Sequence, residues 1–171
     1  MVGKKILKAL NEQLKWEMYS ANLYLSMSGY FQNQGLPGFA NWMRVQYQEE
    51  TAHALKFYDF ILTRGGEIDM AAIDAPPKNW KDALGVFKMT AEHEAEVTDR
   101  INNLAHLSHE ERDYATEIFL QWFVTEQVEE EEAVKDIMNQ LKLIKGEGQG
   151  MLLLDKDFAM RVFVPPPTAA N

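Results

Sequence analysis

Residues 39–60 read FANWMRVQYQEETAHALKFYDF. Taken at steps of three and four, Phe39, Met43, Gln46, Glu50, His53, Phe57 and Phe60 form one stripe of a helix, the spacing by which a helix presents a single face to a core. The stripe opens and closes on aromatic side chains but carries a carboxylate and an imidazole at its centre. Burying such groups is costly unless each is paired, hydrogen-bonded or bound to a cation. A single Glu-x-x-His pair is more often a solvated helix face than a ligand set, so the rest of the chain has to decide.

Working outward, the same interruption recurs on every long amphipathic segment. Residues 5–31 give Leu10, Leu14, Glu17, Ala21, Tyr24, Ser28 and Phe31. A third segment gives Leu84, Phe87, Ala91, Glu94, Thr98 and Ile101, and a fourth gives Leu120, Phe123, Gln127, Glu130, Val134, Ile137 and Leu141. The punctuation between them is clear. Gly35-Leu36-Pro37-Gly38 and Gly65-Gly66 end the first two helices. Pro76-Pro77 precedes a third helix, expected over 79–107 with Asn79 as its cap and Asp82 in its first turn. Ser108-His109-Glu110 separates it from a fourth, over 111–144. Gly146, Gly148 and Gly150 then interrupt before a short apolar helix over 151–163 and a proline-rich tail, 164–171.

Loop lengths predict the topology. The first two helices, and the last two long ones, are joined tightly and must run antiparallel. The connection after the second helix offers roughly fifteen extended residues, which reach about 50 Å and can travel the length of a helix of about 40 Å. The second and third helices are therefore expected to run parallel. The fold class is all-α: a four-helix bundle with one long crossover and a short fifth C-terminal helix, in one domain spanning 1–171 with the bundle at 5–144.

Because each interruption lies near the middle of its helix, Glu17, Glu50, His53, Glu94 and Glu130 meet at one level of such a bundle. Two carboxylates about 4 Å apart repel by about 4 kcal/mol at an effective dielectric near 20, so several together would unfold a marginally stable domain. Two divalent ions would balance four carboxylates. Oxygen-rich ligation with one nitrogen suits iron or manganese better than structural zinc. Tyr24, two turns beyond Glu17 on the same stripe, fits either core packing or a hydrogen bond to a ligand. Glu126, Glu129 and Glu130 share one narrow sector beside the seam, while Glu131 and Glu132 face solvent. Trp42, Trp122 and Phe123 read as packing, and His93, His106 and His109 have no evident partner.

Composition narrows the remaining choices. The chain has 171 residues, 46% of them hydrophobic, and a net charge of -9. That charge disfavours nucleic acid and suits cations. With no cysteine, thiolate metal sites, disulfides and thiol nucleophiles are excluded. No apolar run approaches the roughly twenty residues that cross a bilayer, and no signal-peptide core is evident, so no membrane partner and a cytoplasmic location are expected.

At these residues the chain resembles the prokaryotic non-haem ferritins, from Leu7 to Phe163. The likeness rests on Asn11-Glu12-Gln13-Leu14 through Tyr24, Gly38-Phe39-Ala40-Asn41-Trp42-Met43, Gln48-Glu49-Glu50-Thr51-Ala52-His53-Ala54 and Glu126-Gln127-Val128-Glu129-Glu130-Glu131. The resemblance implies a ferroxidase centre in which Glu17, Glu50 and His53 bind one iron, Glu50 bridges, and Glu94 and Glu130 bind the other, with Gln127 beside them. It implies a third iron site from Glu49, Glu126, Glu129 and Glu130, and a Tyr24 that supplies an electron. The substrates would be Fe(II) and dioxygen or hydrogen peroxide, and the product a mineral held in a hollow homo-oligomeric shell of twenty-four subunits. Glu117 resembles an acidic residue of entry channels.

Relatives that carry a second Glu-x-x-His place it on the fourth helix, where this chain has Gln127-x-x-Glu130. Haem-binding relatives place methionine where it has Thr51, so no haem is expected. The short fifth helix, with Met151, Leu152, Leu153, Leu154, Phe158, Met160 and Val162, either folds on its own bundle or buries against symmetry mates; the resemblance favours the shell. The alternative function is a di-iron oxidase or peroxide-scavenging enzyme without mineral storage.

Overall fold

The computed structural model describes residues 2–145 and 148–166; Gly146 and the tail from 167 onward lie outside them. Five helices follow in order: α1 (Lys4–Asn33), α2 (Pro37–Thr63), α3 (Ala83–Glu110), α4 (Tyr114–Leu143) and α5 (Gly148–Phe158). None is long and apolar enough to cross a membrane.

Pair partners establish the direction of each helix. On α1 and α2, Val2 N donates to Arg64 O and Ser28 Oγ to Ala40 O, so low numbers meet high ones and the pair is antiparallel. On α1 and α3, Lys5 meets Glu111, Ser20 meets His93 and Thr90 meets Met27, again antiparallel. It follows that α2 and α3 run parallel, as the long connection predicts. That connection climbs along α1. The Asn11 amide donates to Glu67 O at 3.0 Å and its carbonyl accepts from Asp69 N at 2.7 Å. Farther up, Ser26 Oγ donates to Pro77 O, and the Trp80 ring packs edge-on to Tyr30 with centroids 5.4 Å apart.

Three boundaries differ from the sequence expectation. The third helix starts at Ala83, capped by Asp82 and not by Asn79. The Asp82 carboxylate accepts from Gly85 N at 2.7 Å, while docking of Trp80 holds the preceding chain out of the helix. Ser108-His109-Glu110 is the last turn of α3 and not a linker. The turn lies at 111–113, because Asp113 caps α4 through Thr116 N and is held by two hydrogen bonds from the Arg64 guanidinium. The fifth helix stops at Phe158, short of 163, where the Asn41 amide takes the carbonyls of Phe158 and Arg161.

The stripes on α1 and α4 are buried as expected, whereas that on α3 is rotated. Its seam runs through Val86, Phe87, Thr90, His93, Glu94, Val97 and Ile101, leaving Leu84, Ala91 and Thr98 half-buried. On α2, Phe60 is half-buried and Ile61 takes the core place.

Apolar side chains form two clusters along the bundle. One gathers Tyr24, Phe31, Phe39, Met43, Phe87 and Ile137, the other Leu10, Leu14, Phe57, Ile101, Leu120 and Phe123. The buried carboxylates lie in the sequence interval between them on all four helices. Helix α5 packs on α2 through Met151, Leu154 and Phe158. Its Asp155 carboxylate accepts from Gly38 N at 2.8 Å and Phe39 N at 3.0 Å, filling the unpaired N–H groups at the start of α2. The approach is so close that a Cβ on Gly38 would lie 1.6 Å from Asp155 O. Thus α5 folds on its own bundle, yet Leu152 and Leu153 remain exposed.

Candidate metal centre

Glu17 on α1 and Glu50 and His53 on α2 bring one ligand atom each to within 4.8 Å of one another, and all three are buried. His53 Nδ1 lies 3.6 Å from Glu50 Oε2 and 3.8 Å from Glu17 Oε2. The Glu50–His53 spacing puts both on one side of α2, one turn apart, and the facing helix supplies Glu17. The imidazole is wedged edge-on against Trp122 and Phe123, with centroids at 5.3 and 5.8 Å. Those rings therefore set the orientation of His53, a role beyond the packing read from sequence.

Glu94 and Glu130 complete the polar layer from α3 and α4. The Tyr24 hydroxyl donates to Glu94 Oε1, and the Gln127 amide donates to Glu94 Oε2 at 3.1 Å. Glu130 Oε2 accepts from Gln46 Nε2 at 2.9 Å, and Glu17 Oε1 from Gln13 Nε2 at 2.8 Å. Glu17, Glu94 and Glu130 thus each hold at least one oxygen on an amide or phenol, which orients them, whereas Glu50 has no such partner among the described residues. Sequence reading missed Gln13 and Gln46 as orienting groups. Gln13 stands four residues before Glu17, the helical spacing at which side chains touch, whereas Gln46 reaches Glu130 across the bundle, a pairing that spacing along one helix does not signal.

Electrostatics show what this arrangement costs. Burial, then the charge of Glu50, lifts Glu17 well above the ordinary carboxylate range. Burial, then Glu94, does the same to Glu50. Glu94 is raised by burial against the opposing bonds from Tyr24 and Gln127, and Glu130 is pushed to about 7 by burial and by Glu94. Among the described residues, Glu50 Oε2 and Gln46 Oε1 are buried acceptors with no hydrogen-bond partner. Hard oxygen donors, one imidazole and unsatisfied acceptors in a buried layer fit a hard or borderline cation.

A family model described as the ferritin-like domain matches residues 7–144. The chain belongs to the ferritin family. It is 41% identical to a bacterial non-heme ferritin of Bacteroides fragilis over 94% of this chain and 100% of that one. A probable bacterial non-heme ferritin-like protein of Haemophilus influenzae is 38% identical, over 92% and 95% respectively. Among solved structures, an open-pore ferritin from the archaeon Archaeoglobus fulgidus superposes with a TM-score of 0.94 at 47% identity, covering 95% of this chain and 100% of that one.

The resemblance implies a third iron site from Glu49, Glu126, Glu129 and Glu130; like Glu94, these residues lie outside the Glu17–Glu50–His53 group among the described residues. Glu129 is exposed and Glu126 half-buried. Glu49 accepts from the Arg161 guanidinium at 2.7 Å. Burial holds Glu49 at about 7 in spite of that cation, and burial raises Glu126. His93, assigned nothing from sequence, is buried with Nε2 2.8 Å from Ser20 Oγ. Burial lowers it to about 4, so it is a neutral core histidine. Glu117 sits in the first turn of α4, 3.4 Å from His109 Nδ1.

Proposed function

We propose that this ferritin oxidises Fe(II) to Fe(III) at a paired site inside each subunit and stores the product as mineral within a hollow shell of its own copies. The observation that carries this reading is the buried group of Glu17, Glu50 and His53, with Glu50 Oε2 lacking a hydrogen-bond partner among the described residues, facing Glu94 and Glu130. Iron here is the substrate. Glu17 and His53 would hold one Fe(II), Glu94 and Glu130 the other, and Glu50, whose charge acts on both halves, would bridge.

Carboxylates favour Fe(III) over Fe(II), which lowers the barrier to electron loss. Two Fe(II) give one electron each, and dioxygen takes both with two protons to become hydrogen peroxide. Peroxide can serve as the oxidant in turn, accepting two electrons and two protons to give water. The chain's part is to hold two ions together, exclude bulk water and orient the carboxylates through Gln13, Gln46, Gln127 and Tyr24. Where a third Fe(II) supplies a third electron, Tyr24, which donates to Glu94, would supply the fourth, so that dioxygen takes four electrons and four protons to give two waters.

One bundle offers no room for a mineral core, so storage requires assembly. Leu152, Leu153, Met160 and Val162 are 61–79% exposed in the single subunit, a concentration of apolar surface that suits burial against symmetry mates. The family points to a shell of twenty-four subunits in a cytoplasmic setting. The test is anaerobic loading with Fe(II) followed by air, read by Fe(III) absorbance and by the iron retained on size exclusion. Glu50→Ala should slow oxidation by about a hundredfold or more, as for removal of a metal ligand. Oxidation at the wild-type rate would remove the paired site from consideration. Rapid oxidation with no retained iron would instead favour a di-iron oxidase.

A further inference from the structure

Beyond α5 the chain turns back along α2. The Asn41 amide donates to Phe158 O at 3.0 Å and to Arg161 O at 2.9 Å. The Arg161 guanidinium lies over the Trp42 ring, 4.5 Å from its centroid, and donates to Trp42 O at 3.3 Å and to Glu49 Oε2 at 2.7 Å. Three residues on, Val164, Pro165 and Pro166 join Glu49, His53, Trp122 and Glu126 around a cavity of about 230 Å³. The segment 161–166 thus runs along α2 from Trp42 towards His53, and it covers the side of the bundle on which that imidazole reaches a cavity.

We propose that Arg161 is a built-in counter-cation that competes with a metal ion for Glu49, and that the strap 161–166 roofs the vestibule beside His53. The proposal rests on the functional reading above for the identity of the ion. Its physical basis is the charge-assisted bond from the guanidinium's second nitrogen to Glu49. The Glu49 carboxylate that it grips faces the same cavity as Glu126, and the Arg161 charge also acts on Glu130. A divalent ion entering between Glu49 and Glu126 must therefore displace the guanidinium or share the carboxylate with it. A cation and Arg161 at one carboxylate repel each other, so each lowers the other's occupancy by the same factor. The ion pair is only partly screened, with side chains 26% and 18% exposed, and the paired prolines stiffen the roof against collapse. Release of Arg161 would free the strap's inner anchor and leave Asn41 as the outer one. Third-ion binding and the position of the roof are coupled in this way, while the two ions of the paired site bind on the inner side of His53.

The test uses the assembled full-length protein and Zn(II), a redox-inert divalent probe, followed by isothermal titration calorimetry at pH 7. Glu49→Gln identifies the Glu49-dependent event. Arg161→Gln should tighten that event about fivefold, the scale of a partly exposed ion pair, and change the tighter events by less than about twofold, since distant sites are nearly additive. Arg161→Lys keeps the charge and should behave as wild type. Asn41→Ala loosens the same strap from its outer anchor and should shift the event in the same direction as Arg161→Gln, which keeps the proposal testable if one variant fails to assemble. An unchanged or weakened Glu49-dependent event in Arg161→Gln, or no such event in any background, would overturn it. Absence of tight binding that depends on Glu17 and Glu50 would count against the paired site and leave this inference standing on its own event.

Discussion

Raising the pH should weaken the metal-free protein, and Glu130→Gln isolates the effect. Glu130 is lifted from its ordinary 4.5 to about 7 by burial and by Glu94, so the folded chain binds a proton that the unfolded chain has released between those values. Stability then falls as pH rises across that window, because the native state binds more protons than the unfolded one. At about 1.4 kcal/mol per tenfold change in proton affinity, Glu130 alone forfeits up to about 3 kcal/mol by pH 7. For a chain of this size that is about 6–12 °C of melting temperature.

Glu17, Glu50 and Glu94 are shifted the same way, so the total fall should exceed the share of Glu130. A glutamine at 130 cannot ionise and its carbonyl can still accept from Gln46. Glu130→Gln should therefore match the metal-free wild type near pH 4.5 and melt higher than it near pH 7. The assay is scanning calorimetry of chelator-treated protein at both pH values, repeated with Zn(II), which should flatten the wild-type pH dependence. A variant equally destabilised at both pH values, or a wild type whose melting temperature rises from pH 5 to 7, would refute the view of the centre as a set of uncompensated buried carboxylates.

Further outcomes follow from other parts of the structure. Gly38→Ala places a methyl group against the Asp155 carbonyl and should dislodge α5, lowering the melting temperature by several degrees in calorimetry while far-ultraviolet circular dichroism keeps the main helical signal. Leu153→Glu alters a side chain that is 63% exposed in the subunit, so it should leave helix content intact and shift size exclusion from a large assembly to small species. Tyr24→Phe removes the hydroxyl donated to Glu94. It should preserve anaerobic Fe(II) stoichiometry within about twofold and abolish any tyrosyl radical signal in electron paramagnetic resonance after oxygen addition.

Periodicity alone was enough to specify four long helices and the level at which they carry carboxylates, because the same three- and four-residue steps that build an apolar seam expose any break in it. Loop length sufficed for the parallel α2–α3 arrangement, since chain reach is a matter of geometry. On α3 the expected stripe shares Phe87, Glu94 and Ile101 with the buried seam but omits Val86, Thr90, His93 and Val97, because neighbouring residues on a helix differ by only about 100° and adjacent apolar positions such as Val86 and Phe87 support two rotations equally.

The cap at Asp82, the turn at 111–113 and the end of α5 at Phe158 depend on Tyr30, which docks Trp80, on Arg64 and on Asn41, each arriving from a distant part of the chain. Local propensity carries no trace of them. The same holds for the partner of Glu49. The resemblance implies a third iron at this carboxylate, and the folded chain also brings the Arg161 guanidinium to it from 112 positions away. Spacing along a helix is a local property, legible in order; which charge answers another across the bundle is settled only when the chain closes on itself.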